Sequence, residues 1–500
     1  MQALSYTVAF QGVEPRLVEV QVAISPGLPA FSIVGLPDKA VSEARERVRA
    51  TITALGLALP ARRITINLAP ADLPKEGSHF DLPIALTLLA AMEALPADQM
   101  RDVLSLGELS LDGRLVAVAG ALPAALAAAE NNCALICPRD CGAEAAWVEA
   151  ARVLAADSVL SIINHFAGRA IIPNAEPGEV AAPRGQRDMA DVRGQERAKR
   201  ALEIAAAGRH NLLMVGPPGA GKSMMAARLP SLLPPLSAAE ALETSMIHSV
   251  AGLLDAGGIS RERPYRAPHH TASMPAIVGG GRGAKPGEIS LAHNGVLFLD
   301  ELPEFPRPVL ETLRQPLETG DVVVARANAH VRYPCAFMLV AAANPCRCGW
   351  LSDPNQACSR APACGDDYMG RISGPLLDRF DLRIDVPATE ISELQKLEPG
   401  EPSVAIAARV AAARQVQRNR FRGSEISTNA QAEGDMLMEI VAPDAEALAF
   451  LGQVATKFHL SARAYHRILR VARTIADLAG EDRVARVHIA EAVAYRIGTG

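Results

Sequence analysis

The spacing of apolar positions changes along the 500-residue chain, and each change predicts a different element. Over residues 16–24 apolar and polar residues alternate, as in a strand with one buried face, and 31–34 resumes the pattern beyond a Pro-Gly-Leu-Pro turn. Over 38–55 the period lengthens, so that Ala40, Val41, Ala44, Val48 and Ile52 share one side of a helix and charges take the other. Residues 64–68 read as another strand and 82–95 as a buried helix, which together predict an α+β domain over 1–172. Residues 173–190 carry Pro, Gly and charge without an apolar period and predict a linker. Beyond them, 198–207 reads as a helix, and the apolar runs 212–215, 296–299 and 336–343 read as buried strands. Residues 405–420 and 461–477 return to helical spacing, the latter with Ser461 as its N-cap.

Composition narrows the class. An apolar content of 49% over 500 residues predicts two to four globular domains. No apolar run is long enough to span a bilayer, and the first residues lack a secretory pattern, so a soluble cytoplasmic protein is expected. Residues 1–172 hold 13 Lys and Arg against 18 Asp and Glu, a balance of −5 that equals the net charge of the whole chain. Any nucleic-acid contact must therefore come from local basic features of the later regions.

The chain is organised around Gly216-Pro217-Pro218-Gly219-Ala220-Gly221-Lys222-Ser223. This stretch follows an apolar run and precedes Met224, Met225, Leu229, Leu232 and Leu233, spaced as on a helix. Strand, glycine turn and helix in that order present backbone N–H groups to an anion at a helix N-terminus. Lys222 would reach the β- and γ-phosphates of ATP, and the Ser223 hydroxyl would ligate Mg²⁺. The run 296–299 ends in Asp300 and Glu301, at the strand edge where open α/β sheets present their ligands. Asp300 would complete the Mg²⁺ shell, and Glu301 would polarise the attacking water.

Eight cysteines fall into two groups. Cys133, Cys137 and Cys141 flank an apolar strand and read as small hydrophobes. Cys346, Cys348, Cys358 and Cys364 lie within 19 residues of a loop-forming stretch and could bind a structural Zn²⁺, with free loop thiols the alternative. Two further segments suit phosphate contact: a glycine loop tipped by Arg282 and Lys285, and a hairpin over 321–334 carrying Arg326, His330 and Arg332.

Val34-Gly35-Leu36-Pro37-Asp38, the stretch 67–77 and Gly107-Glu108-Leu109 resemble the Lon-protease-like domain that opens the ComM/YifB proteins, the magnesium-chelatase-like ATPases. The resemblance covers nearly the whole chain. It implies an α/β fold class: an AAA+ phosphate-loop ATPase core (191–387) with a helical insert and C-terminal lid (388–500), preceded by a Lon-like domain of the S5 type (1–172). True Lon peptidases place a serine where this chain has His79, and no lysine lies between Lys75 and Lys199. Ser78 thus lacks an evident activator, and a scaffold or docking role is expected.

The same resemblance implies a Gly-Gln element at 194–195 beside the adenine and Asn344 as the sensor orienting water. It also implies Arg379 as a finger completing a neighbour's site, and Arg463 as a second sensor with Arg467 one turn along. In the related helicases a hairpin like 321–334 projects into a ring channel. The expectation is a hexameric, ATP-driven DNA helicase that promotes branch migration while transforming DNA is integrated. Two alternatives stand beside it: a chelatase-type chaperone motor acting on protein subunits, and a protein-remodelling ATPase.

Overall fold

A computed structural model describes residues 1–180, 187–254, 257–281, 284–325, 330–351, 357–388 and 398–497. The N-terminal unit is built on a seven-stranded sheet. Its strands are β1 (Gln2–Gln11), β2 (Glu14–Ser25), β3 (Ala30–Val34), β4 (Arg63–Ala69) and β5 (Val103–Ser105). A small hairpin, β6 (Glu108–Leu109) and β7 (Leu115–Val116), stands apart, and β8 (Ala134–Pro138) and β9 (Arg152–Ala156) complete the sheet in the order β3-β4-β2-β1-β5-β8-β9. The alternation read in β2 places Val18, Val20, Val22 and Ile24 in the core. Against them lies the helix Lys39–Ala54, whose Asp38 cap accepts from the Val41 N–H at 2.8 Å. The helix Asp81–Ala91 is buried along its whole length. It stops short of the expected 95 because Glu93 turns into the left-handed region at φ 64°.

The second unit is a five-stranded parallel sheet of β10 (Leu212–Val215), β11 (Tyr265–Arg266), β14 (Val296–Leu299), β17 (Met338–Ala343) and β18 (Leu382–Asp385), in the order β11-β14-β17-β10-β18. Two hairpins project from it: β12 (Gly279–Gly280) with β13 (Lys285–Pro286), and β15 (Asp321–Ala325) with β16 (His330–Pro334). Buried on both faces, the central strands carry continuous apolar runs. One face packs on Leu302, Phe305, Leu310 and the hairpin residues Val322, Val324, Val331 and Tyr333. The other shares a single core with the helix Glu196–Gly208 and with the C-terminal helices Ser403–Arg420, Gly434–Val441, Ala445–Lys457, Ala462–Ala479 and Arg486–Ile497. Ser461 caps the helix Ala462–Ala479 as expected, accepting from the Ala464 N–H at 3.2 Å.

One expectation of the sequence changes here. The helix after the glycine turn covers only Lys222–Ala226 and then tightens into a short turn at Leu229–Leu232. Pro230, Pro234 and Pro235 remove the N–H donors a longer helix would need. The stretch 173–190 is tethered at both ends: the Asn174 side chain accepts from the Val153 N–H at 2.7 Å, and Met189 is buried with its N–H on the Ser403 hydroxyl at 2.8 Å.

The two units touch. Gly120 N–H donates to the Ser249 carbonyl, and the Trp147 indole N–H donates to the Gly257 carbonyl at 2.9 Å. The β1–β2 turn sits on β16: a Cβ at Gly12 would lie 2.6 Å from the Arg332 carbonyl oxygen, and Val13 packs into the core beneath.

Candidate nucleotide-binding site

Three parallel strands end at one place. β10 runs into the glycine turn, β14 into Asp300 and Glu301, and β17 into Asn344. Gly216 has no room for a side chain, since a Cβ would meet the Val386 carbonyl oxygen at 2.1 Å. Gly219 and Gly221 sit at φ +80° and +86°, which lets the turn fold its N–H groups inward. The result is a cavity of about 400 Å³ lined by Pro218, Gly219, Ala220, Gly221, Lys222 and Ser223, with Asp300, Glu301 and Asn344 opposite.

Inside it the polar groups are interlocked. Lys222 Nζ donates to the carbonyls of Gly216 and Pro217 at 2.7 and 2.9 Å and to the Asn344 amide oxygen at 3.2 Å. Burial pulls the Lys222 ammonium below its ordinary pKa, and the charges of Asp300 and Glu301 oppose that pull. The Ser223 hydroxyl donates to Asp300 at 2.6 Å, so the two oxygen donors suited to a hard divalent cation already face each other. Glu301 takes the left-handed conformation at φ 53° and is half exposed, with His270 Nδ1 at 3.5 Å from its carboxylate. His270, with its ring tilted against that of His269 and edge-on to Phe305, was not singled out from sequence for this contact.

The arginines expected around the γ-phosphate lie elsewhere. Arg379 is almost fully buried and ion-paired with Glu318, not with the neighbouring Asp378 or Asp381. Burial alone would raise the Asp381 carboxyl, but Arg467 and His210 beside it hold it well below the usual carboxylate range. Arg379, Arg463 and Arg467 all line a second cavity of about 850 Å³, together with Glu318 and Arg209. Among the described residues, none lines both cavities.

This arrangement matches known proteins along the chain. Family models described as magnesium chelatase, subunit ChlI, match residues 20–140 and 188–394, and one described as its C-terminal part matches 400–496. The chain is 45% identical to the competence protein ComM of Haemophilus influenzae, over 99% of this chain and 97% of that protein. It is 43% identical to the uncharacterized protein YifB of Escherichia coli, with the same coverage. The chain belongs to the ComM/YifB family. A more distant relative is the 38 kDa subunit of magnesium chelatase from Rhodobacter capsulatus, 28% identical over 39% of this chain and 54% of that one. The ComM/YifB chain is thus an AAA+ protein of magnesium-chelatase type, a class of ATPases whose ligands at this loop are ATP and Mg²⁺.

In this ComM/YifB chain the two segments singled out for phosphate contact lie together. The Tyr333 hydroxyl of β16 donates to the Ala284 carbonyl at 2.8 Å, and a Cβ at Gly279 would lie 3.1 Å from Val324 Cγ2. Lys285 is exposed on β13. Arg332 is exposed but ion-paired with Asp321 across its own hairpin. Arg282, Arg326 and the hairpin turn lie outside the described residues, as does the His330 side chain.

In the N-terminal unit the Ser78 hydroxyl donates to the Glu108 carboxylate, a partner that sequence spacing did not reveal. His79 is buried with Nε2 on the Val8 carbonyl at 2.9 Å, and burial pulls its imidazole down to about 4. Cys133, Cys137 and Cys141 are buried among apolar side chains. Among the described residues no helix is long and apolar enough to cross a membrane.

Proposed function

We propose that this protein is a ring-forming ATPase that drives DNA through its central channel and promotes branch migration when transforming DNA is integrated. The observation that carries the ring is the separation of Lys222, Ser223 and Asn344 from Arg379, Arg463 and Arg467 into different cavities of one chain. Charge developing on the γ-phosphate needs cations close by. An arginine that lines a separate cavity of its own subunit would supply it to a neighbour, and a closed hexamer would satisfy every seam. The name of the Haemophilus influenzae relative, a competence protein, supports DNA as the substrate; the cytoplasm is the proposed place of action.

In this reading residues 191–387 form the motor, 388–500 the insert and lid, and 1–172 a Lon-like domain without peptidase activity. Lys222 and the loop N–H groups would hold the phosphates, and Ser223 and Asp300 would hold Mg²⁺, which would supply positive charge against them. Glu301 orients the attacking water, Asn344 positions it against the γ-phosphate, and Arg379 arrives from the adjoining subunit with Arg463 beside it. The hairpin over 321–334 and the loop carrying Arg282 and Lys285 contact backbone phosphates without reading sequence. Affinity then falls steeply with salt.

The test is ATP hydrolysis with and without single-stranded and forked DNA across a salt series, beside unwinding of branched DNA. DNA should stimulate hydrolysis at low salt, and Glu301→Gln should abolish unwinding. A Glu301→Gln protein that still unwinds would refute the motor. The distant magnesium-chelatase relative supports a second reading, a chaperone motor on protein subunits. Hydrolysis indifferent to DNA together with copurifying chelatase-type partners would favour it. Stimulation by unfolded protein would instead favour a protein-remodelling ATPase.

A further inference from the structure

Three of the four cysteines that follow β17 converge. The Sγ atoms of Cys346, Cys348 and Cys364 all lie within 4.8 Å of one another, with Cys346 and Cys348 at 3.0 Å, and Cys358 interacts electrostatically with Cys348 and Cys364. Four sulfurs around a tetrahedral Zn²⁺, each at about 2.3 Å, would stand roughly 3.8 Å apart; the three clustered sulfurs already lie within 4.8 Å of one another, and Cys358 would supply the fourth. Soft thiolate donors select zinc over the hard cations that Ser223 and Asp300 suit. Cys346 and Cys364 are buried and Cys348 is exposed, which leaves the site a path for metal entry.

The position of the cluster gives it a task. Cys346 follows Asn344 by two residues, so the first ligand is anchored directly behind the group that contacts Lys222. The Cys346 carbonyl accepts from the Gly349 N–H at 3.0 Å, and this turn, with Gly349 at φ +86°, lays Gly349 on the phosphate loop. A Cβ there would come within 2.5 Å of Pro218 Cδ. The last ligand, Cys364, lies in the helix Ala363–Met369, and just beyond that helix Arg371 donates to the Pro303 carbonyl and pairs with Glu304, two and three residues past Glu301. One ion would therefore tie together the segments that follow β17 and β14 and press the first of them on the glycine turn.

We propose that Cys346, Cys348, Cys358 and Cys364 bind one structural Zn²⁺ that clasps the loop of Asn344 against the phosphate loop. The proposal rests on the nucleotide reading of that loop only for its second half. The purified full chain, kept reduced and free of chelator, carries about one zinc per chain. Cys364→Ser, and the milder Cys348→Ser at an exposed position, each bring zinc below about a tenth of an equivalent, and Cys348→His restores most of it because imidazole is also a zinc ligand. Stripping the metal from the unmodified protein raises the Kd for a fluorescent ATP analogue roughly tenfold, and zinc added back reverses the change. Less than about a tenth of an equivalent in the unmodified protein overturns the site, as does a Cys346–Cys348 disulfide in its place. Zinc that can be removed with the Kd held within about twofold overturns the clasp. Lys222→Ala, with zinc retained and nucleotide lost, separates failure of the clasp from failure of the nucleotide reading.

Discussion

Arg379 is held by Glu318 at the rim of a cavity that also carries Arg463 and Arg467. A buried guanidinium is stable only with a partner, and Glu318 is that partner here; in the proposed ring a neighbour's phosphate would compete for it. Arg379→Ala is expected to lower ATP turnover by about a thousandfold while leaving nucleotide binding unchanged. Mixing it with Lys222→Ala chains should restore part of the activity, because a seam can then pair an intact pocket with an intact finger. Steady-state hydrolysis of the mixture measures this, and additive inactivity of the two variants would contradict a shared site.

Within the pocket, Lys222 and Glu301 should separate binding from chemistry. Lys222→Ala removes the cation that the loop carbonyls now hold and should abolish nucleotide binding at micromolar concentrations in equilibrium titration. Glu301→Gln should bind ATP normally and lower turnover about a hundredfold or more, the range expected for loss of a group that activates water.

The two hairpins give a graded salt test. Lys285 is exposed, so Lys285→Ala should reduce the slope of log K against log salt by about 0.7 on single-stranded DNA. Arg332 is tied to Asp321, so Arg332→Ala should have a smaller effect than its charge suggests. Asp321→Asn frees that cation and should tighten binding by up to about fivefold, the worth of an exposed ion pair. Fluorescence anisotropy at several salt concentrations reads all three.

His79 makes the N-terminal unit acid-sensitive. Its imidazole titrates at about 4 when folded and at about 6.5 in an unfolded chain, so between those values the unfolded chain binds the extra proton. Stability contributed by the neutral ring is therefore complete above pH ~6.5 and falls as pH drops toward ~4, by up to about 3 kcal/mol. Denaturant unfolding at pH 7 and pH 4.5 should show the slope. His79→Gln, which can still donate to the Val8 carbonyl, should flatten it.

Local chemistry was legible in the sequence and long-range pairing was not. The glycine turn, the acidic pair after β14 and the Ser461 cap each declare themselves through neighbours within a few residues, Asn344 was placed by family resemblance, and the structure sets the turn, the acidic pair and Asn344 around one cavity. The helix that follows the glycine turn was read too long because apolar spacing continued past Ala226 while prolines decided its length. Glu318 could not be assigned to Arg379, nor His270 to Glu301, because 61 and 31 positions separate them and only the packing of the sheet connects them. The anchors of the stretch 173–190, Asn174 and Met189, were not legible because their partners lie on other elements.

The seat of the Gly12–Val13 turn on β16 has a mechanical consequence. Were the hairpin to move along DNA as proposed, it could not swing alone: it would have to carry the N-terminal sheet with it as a counterweight or slide free beneath Val13 at each stroke. The amplitude of a stroke would then be set by how far that seat yields, which would make the N-terminal unit the gearing of the machine rather than a passenger on it.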